Sequence, residues 1–168
     1  MQNHFDLFQL TQRFDIDTAE LDAAFREIQA RVHPDKFVSA SSAEQRIAMQ
    51  WATRANEAYQ TLKNPLKRAA YLCELHGVPL EAESNTAMPA AFLMQQMEWR
   101  EELDEAKTDV ATLARLEAEV QQARRLQLQT IAEQLGQADY QLAAQSIRQL
   151  MFLDKFDADL AHLSDQSA

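Results

Sequence analysis

A chain of 168 residues holds one domain or two small ones, and 2 Gly and 4 Pro among abundant Ala, Leu, Gln and Glu favour helix while excluding a glycine-built phosphate loop. The net charge of −10 excludes binding to nucleic acid through a basic stripe. A single cysteine, Cys73, excludes an internal disulfide and any cysteine-ligated zinc or iron–sulfur site within one chain.

The charge is uneven. Residues 1–76 carry 9 Lys/Arg against 10 Asp/Glu, whereas residues 77–168 carry 7 against 16. The halves therefore suit different partners. Met1-Gln2-Asn3-His4 lacks a basic segment followed by an apolar run, so no secretory signal is expected. No stretch approaches the ~18 apolar residues of a membrane span. The expectation is a soluble, cytoplasmic protein that binds neither membrane nor nucleic acid.

In chain order, Phe5, Leu7, Phe8 and Leu10 suggest a short leading helix. Asp17-Thr18-Ala19-Glu20 has the form of a capping box, after which Leu21, Phe25, Ile28 and Val32 recur on one helical face. Pro34 must end that helix near His33, because it supplies no amide donor and disfavours the α region for the residue before it. Ser41 and Ser42 are cap candidates for the next helix, with Ile47, Trp51, Ala55, Ala58 and Leu62 as its inward stripe. Asn64-Pro65 opens a fourth helix that ends at His76-Gly77, where glycine suits a left-handed cap. Cys73, between Leu72 and Leu75, reads as a small buried residue.

Residues 77–88 contain Gly77, Pro79, Ser84 and Asn85 without a helical stripe, so they predict a linker between domains. Three further helices follow, over about 89–106, 109–135 and 139–163, and short loops predict an antiparallel bundle. The middle one should turn Leu113, Leu116, Val120, Leu128 and Ile131 inward and stop at Gly136. The fold class is thus all-α, with domains at 1–76 and 89–168.

Two features can carry chemistry. The first is His33-Pro34-Asp35, which offers an imidazole and a carboxylate at the tip of a helical hairpin. The outward side of the preceding helix holds Arg26, Gln29, Ala30 and His33; Arg31 borders its apolar side and Lys36 lies just beyond the turn. Taken alone, the corner is either ordinary Pro-Asp turn chemistry or a recognition device. The second is the helix from Pro89. Phe92, Trp99, Leu103 and Ala106 supply one packing face, yet Leu93, Met94 and Met97 form a second strip beside Glu98, Glu101 and Glu105. Either the bundle buries both strips, or the spare one meets a partner, for which methionines are well suited.

No catalytic constellation is visible. The four histidines are far apart in sequence, and the acidic run Glu101-Glu102, Asp104-Glu105 lacks the Glu-x-x-His pairs of a di-iron bundle. Neither a metal nor a cofactor is expected.

Residues 1–76 resemble a J-domain, the helical hairpin by which co-chaperones activate the ATPase of DnaK-type chaperones. Over nearly its full length the chain resembles the HscB family of iron–sulfur cluster assembly. His4-Phe5-Asp6-Leu7-Phe8, Val32-His33-Pro34-Asp35-Lys36-Phe37, Ala91-Phe92-Leu93-Met94, Arg100-Glu101-Glu102-Leu103-Asp104 and Phe152-Leu153-Asp154-Lys155 carry that likeness. The resemblance implies an L-shaped protein with an N-terminal J-domain and a C-terminal three-helix bundle. It is then no enzyme itself but an ATPase activator of a partner chaperone, HscA, that also binds the scaffold protein IscU and aids maturation of iron–sulfur proteins. Carried onto this chain, His33, Pro34, Asp35, Arg26, Arg31 and Lys36 would meet the chaperone. Leu93, Met94, Met97, Glu98, Glu101, Glu105 and Phe152 would meet the scaffold.

Overall fold

The computed structural model describes residues 2–80 and 88–167. They form seven α-helices and one 3-10 turn, with no strand among the described residues. Most of the segment expected as a linker, 81–87, lies outside the described residues. The packing divides into two compact units, Met1–Leu72 and Cys73–Ala168.

In the first unit, the helices begin where short polar side chains satisfy otherwise orphaned amides. Asn3 and Asp6 exchange a reciprocal capping box around α1 (His4–Leu7). Asp17 accepts from the Ala19 amide at 2.9 Å to start α2 (Thr18–Val32). Ser41 accepts from Glu44 at 3.2 Å for α3 (Ser42–Lys63), and Asn64 accepts from Lys67 at 3.1 Å for α4 (Pro65–Leu75). Helices α2 and α3 run antiparallel, with Phe25 stacked on Tyr59 at 4.1 Å and Asp22 accepting from both Tyr59 Oη (2.6 Å) and Lys63 Nζ (2.9 Å). The base of this hairpin is closed by Phe5 and Phe8 of the amino-terminal segment, buried with Leu21, Ala55, Ala58 and Leu62. Arg68 donates to the Leu62 carbonyl at 2.7 Å and ties α4 to the end of α3.

The tip differs from the expected pattern. Ile47 and Trp51 share the periodicity of Ala55, Ala58 and Leu62, yet they are 54% and 38% exposed. The amino-terminal aromatics cover only the base, so the same stripe is core at one end of α3 and surface at the other. Gly77 adopts φ 78°, the left-handed conformation foreseen for it, and the Val78 amide closes on the Cys73 carbonyl at 2.8 Å.

The second unit contains α5 (Ala90–Ala106), α6 (Val110–Gly136) and α7 (Tyr140–Ser167). Its core takes Trp99 and Leu103 from α5, Leu113, Leu116, Val120, Ile131 and Leu135 from α6, and Ile147, Leu150, Leu153, Phe156 and Leu160 from α7. Leu128, expected inward, is only half-buried. Gly136 remains helical, and the left-handed residue that reverses the chain is Ala138, φ 58°. Arg124–Asp154 at 2.7 Å and Gln121–Asp157 at 2.9 Å lace α6 to α7. Trp99 holds α5 down, donating to Glu119 at 3.1 Å and stacking on Phe156 at 5.7 Å.

Candidate partner-binding surfaces

The corner is built by proline. His33, with φ −59° and ψ 135°, is in the extended region that a following proline imposes, and Pro34 opens the 3-10 turn Pro34–Phe37. His33 Nδ1 accepts from the Asp35 amide at 3.2 Å, and the Lys36 amide donates to the His33 carbonyl at 2.9 Å. A ring nitrogen that accepts carries no proton, so the neutral imidazole holds its hydrogen on Nε2. Side-chain exposure is 58% for His33 and 88% for Asp35. The corner therefore holds itself in place and leaves both side chains exposed. Gln45 of α3 donates to the Phe37 carbonyl at 2.9 Å and pins the end of the turn.

Arg26, Arg31 and Lys36 are all exposed around this corner. Arg31 is paired with Glu27 one turn earlier, and both partners are largely solvated. Such exposed pairs are weak and exchange readily for another carboxylate.

On the second unit, Leu93, Met94 and Met97 of α5 are 46%, 61% and 64% exposed, and Phe152 of α7 is 51% exposed. The three-helix core leaves the second strip of α5 uncovered. Leu93, Met97, Glu101 and Phe152 line one groove of about 480 Å³ together with Met88, Phe92, Gln96 and Arg100. Met94, Glu98 and Glu105 are exposed but do not line it. Glu98 instead borders a second, polar groove with Gln95, Trp99, Glu102, Ala118, Glu119 and Gln122.

Four lining residues escaped the sequence reading. Composition places Met88 in the linker, and periodicity places Phe92 on the packing face alone. Arg100 forms the groove wall, paired with Asp159 at 3.2 Å and lying 4.9 Å from the ring centroid of Phe156. Gln96 has its Nε2 buried without an acceptor. Only the position of Gln96 and Arg100 between the two apolar strips could have flagged them.

Among the described residues, no three His, Cys, Asp or Glu side chains gather to hold a metal ion, and no helix is long and apolar enough to cross a membrane. Cys73 is buried, and burial pushes its thiol up to about 11, against a small opposing influence of Arg148.

A helical hairpin with an exposed His-Pro-Asp at its tip, joined in one chain to a three-helix bundle, defines a J-domain co-chaperone. Residues 88–161 match the family model described as the HSCB C-terminal oligomerisation domain. The chain is 54% identical over 160 residues to a co-chaperone protein HscB homolog of Bordetella petrii, covering 95% of this chain and 94% of that protein. A homolog from Burkholderia mallei is 53% identical, with 94% and 91% covered. Chaperone HscB from Vibrio cholerae superimposes with a TM-score of 0.87 at 38% identity, over 99% of this chain and 100% of that one. Human co-chaperone protein HscB does so with 0.91 at 27% identity, over 96% and 82%. The chain belongs to the HscB family, the co-chaperones of iron–sulfur cluster assembly.

Proposed function

We propose that residues 1–76 act as a J-domain stimulating ATP hydrolysis by the DnaK-type chaperone HscA, while the bundle over 89–168, beyond a linker at 77–88, holds the scaffold protein IscU in the groove of α5 and α7. The protein works in the cytoplasm and hydrolyses nothing itself. Its contribution is proximity: two recognition surfaces on one chain raise the effective concentration of client at the chaperone.

The observation that carries this reading is the exposed, self-capped corner. His33 accepts the Asp35 amide at Nδ1, and the Asp35 carboxylate stands 3.6 Å from that nitrogen with its side chain 88% exposed. Docked against a basic group, that carboxylate makes a charge-assisted contact whose loss costs about 2–5 kcal/mol of binding. Arg26, Arg31 and Lys36 add attraction to an acidic surface that weakens with salt. The apolar groove supports the client half, because Leu93, Met97 and Phe152 converge there from two helices with Glu101 at the edge.

Single-turnover ATPase measurements test the first half. In His33→Asn, the shorter amide oxygen can still accept from the Asp35 amide, so the melting temperature should stay within about 2 °C of wild type while stimulation is lost. Unchanged stimulation would reduce the corner to a turn. For the second half, the double substitution Leu93→Ala/Met97→Ala should weaken scaffold binding at least about tenfold and leave stimulation by the scaffold-free protein intact. Equal affinity for the scaffold would send the groove to another client.

A further inference from the structure

The tip of the α2–α3 hairpin carries a second, apolar surface that neither the corner nor the core uses. Phe25 against Tyr59 and Asp22 against Lys63 set the antiparallel register, and Gln45 against the Phe37 carbonyl keeps it to the end of the turn. In that register Trp51 lies level with Val32, the residue before His33. Ile47 lies level with Phe37 and Val38, at the end of the turn that Asp35 begins. Ile47 and Trp51 stand one helical turn apart on one side of α3. Both are exposed, and Val38 is 75% exposed. The Arg54 guanidinium lies over the Trp51 ring, 5.0 Å from its centroid.

Charge says what fits there. From Arg26 to Arg54 the chain holds 5 Lys/Arg and 3 Asp/Glu, a positive stretch in a molecule of net charge −10. An exposed tryptophan flanked by arginine is the composition of an interface centre. A partner gripping His33 and Asp35 has its footprint within one or two helical turns of Ile47 and Trp51, roughly 5–11 Å along the axis. A contact of ordinary size, about 800 Å² per partner, extends over both.

We propose that Val38, Ile47 and Trp51, with the Arg54 guanidinium over the tryptophan ring, form the apolar half of the chaperone-docking surface, whose polar half is the His33–Asp35 corner. The occupant is the ATPase partner itself, through apolar side chains ringed by carboxylates. This rests on the corner being the chaperone contact. The two halves divide the work: basic and corner groups govern encounter and salt dependence, while apolar burial governs residence time.

The test uses full-length protein labelled with 5-fluorotryptophan. The chain has 2 tryptophans, and Trp99, 4% exposed in the second unit, serves as the internal reference for Trp51. On addition of unlabelled chaperone with ATP, the Trp51 fluorine resonance should shift and lose its solvent isotope effect, while Trp99 stays put. Ile47→Ala/Trp51→Ala should speed dissociation about tenfold with association changed less than about twofold. Met49→Ala, at a residue 71% exposed but turned to another side of α3, should change neither rate. An unmoved Trp51 resonance with unchanged dissociation, while stimulation still depends on His33, overturns this inference alone. If stimulation does not depend on His33, the corner reading falls with it. A Trp51 shift that follows the protein's own concentration without chaperone assigns the surface to a second copy, and overturns the proposal too.

Discussion

Both units leave large apolar side chains in solvent, but they come to do so by different routes. At the hairpin tip, Ile47 and Trp51 are exposed because the core simply stops short of them, and the neighbouring charges are mostly basic. On the bundle, Leu93, Met97 and Phe152 are exposed because α5 carries more apolar surface than two neighbours can cover, and carboxylates edge the surplus. The corner is a local object, held by one proline and by hydrogen bonds that all lie between His33 and Gln45. The groove is a tertiary object that exists only while α5 and α7 stay packed. Loss of core packing should therefore separate the two activities.

The largest effect should come from Phe156→Ala. This side chain is 1% exposed and supports both the Trp99 ring and the Arg100 guanidinium. Its truncation should cost about 3–5 kcal/mol in urea unfolding of the second unit and abolish scaffold binding. Chaperone stimulation should persist at temperatures where the first unit remains folded. Joint loss of both activities would break the distinction between a local and a tertiary site.

A smaller effect concerns Cys73. With the thiol buried and raised to about 11, alkylation by iodoacetamide at pH 8 should be slower than in unfolded protein by at least about a hundredfold. Rapid reaction in the native state would mean that the helix end around Cys73 opens easily.

The smallest expected effect belongs to the Asp22–Tyr59–Lys63 cluster, which sets the hairpin register. The Tyr59 hydroxyl, then Lys63, hold the Asp22 carboxyl below its ordinary value near 3.8. Asp22 therefore stabilises the native state above the unfolded value, and this contribution is lost as pH falls through the depressed one. Asp22 in turn raises Lys63 and Tyr59, whose share is present below their ordinary values and lost as pH climbs through the raised ones. Asp22→Asn should be modestly less stable than wild type at pH 7, and the gap should begin to narrow below about pH 4 and vanish only below the depressed value. A constant gap from pH 3 to pH 7 would assign the loss to geometry rather than charge.

The sequence by itself determined the parts that depend on neighbours along the chain. Asp17, Ser41 and Asn64 cap their helices as their side chains require, Gly77 takes the left-handed turn, and Pro34 forces the corner. The spare strip of α5 was visible as well, because its periodicity conflicts with that of the packing face. Other features depended on which helix lies opposite. Ile47 and Trp51 repeat in phase with Ala55 and Leu62, so no pattern could reveal that the covering layer ends between them. Nor could spacing bring Phe152 to Leu93 and Met97, or draw Met88, Gln96 and Arg100 into one groove. Periodicity assigns an apolar residue to a side of its helix. How far along that side another element reaches is decided by tertiary packing, and that reach separates core from contact surface.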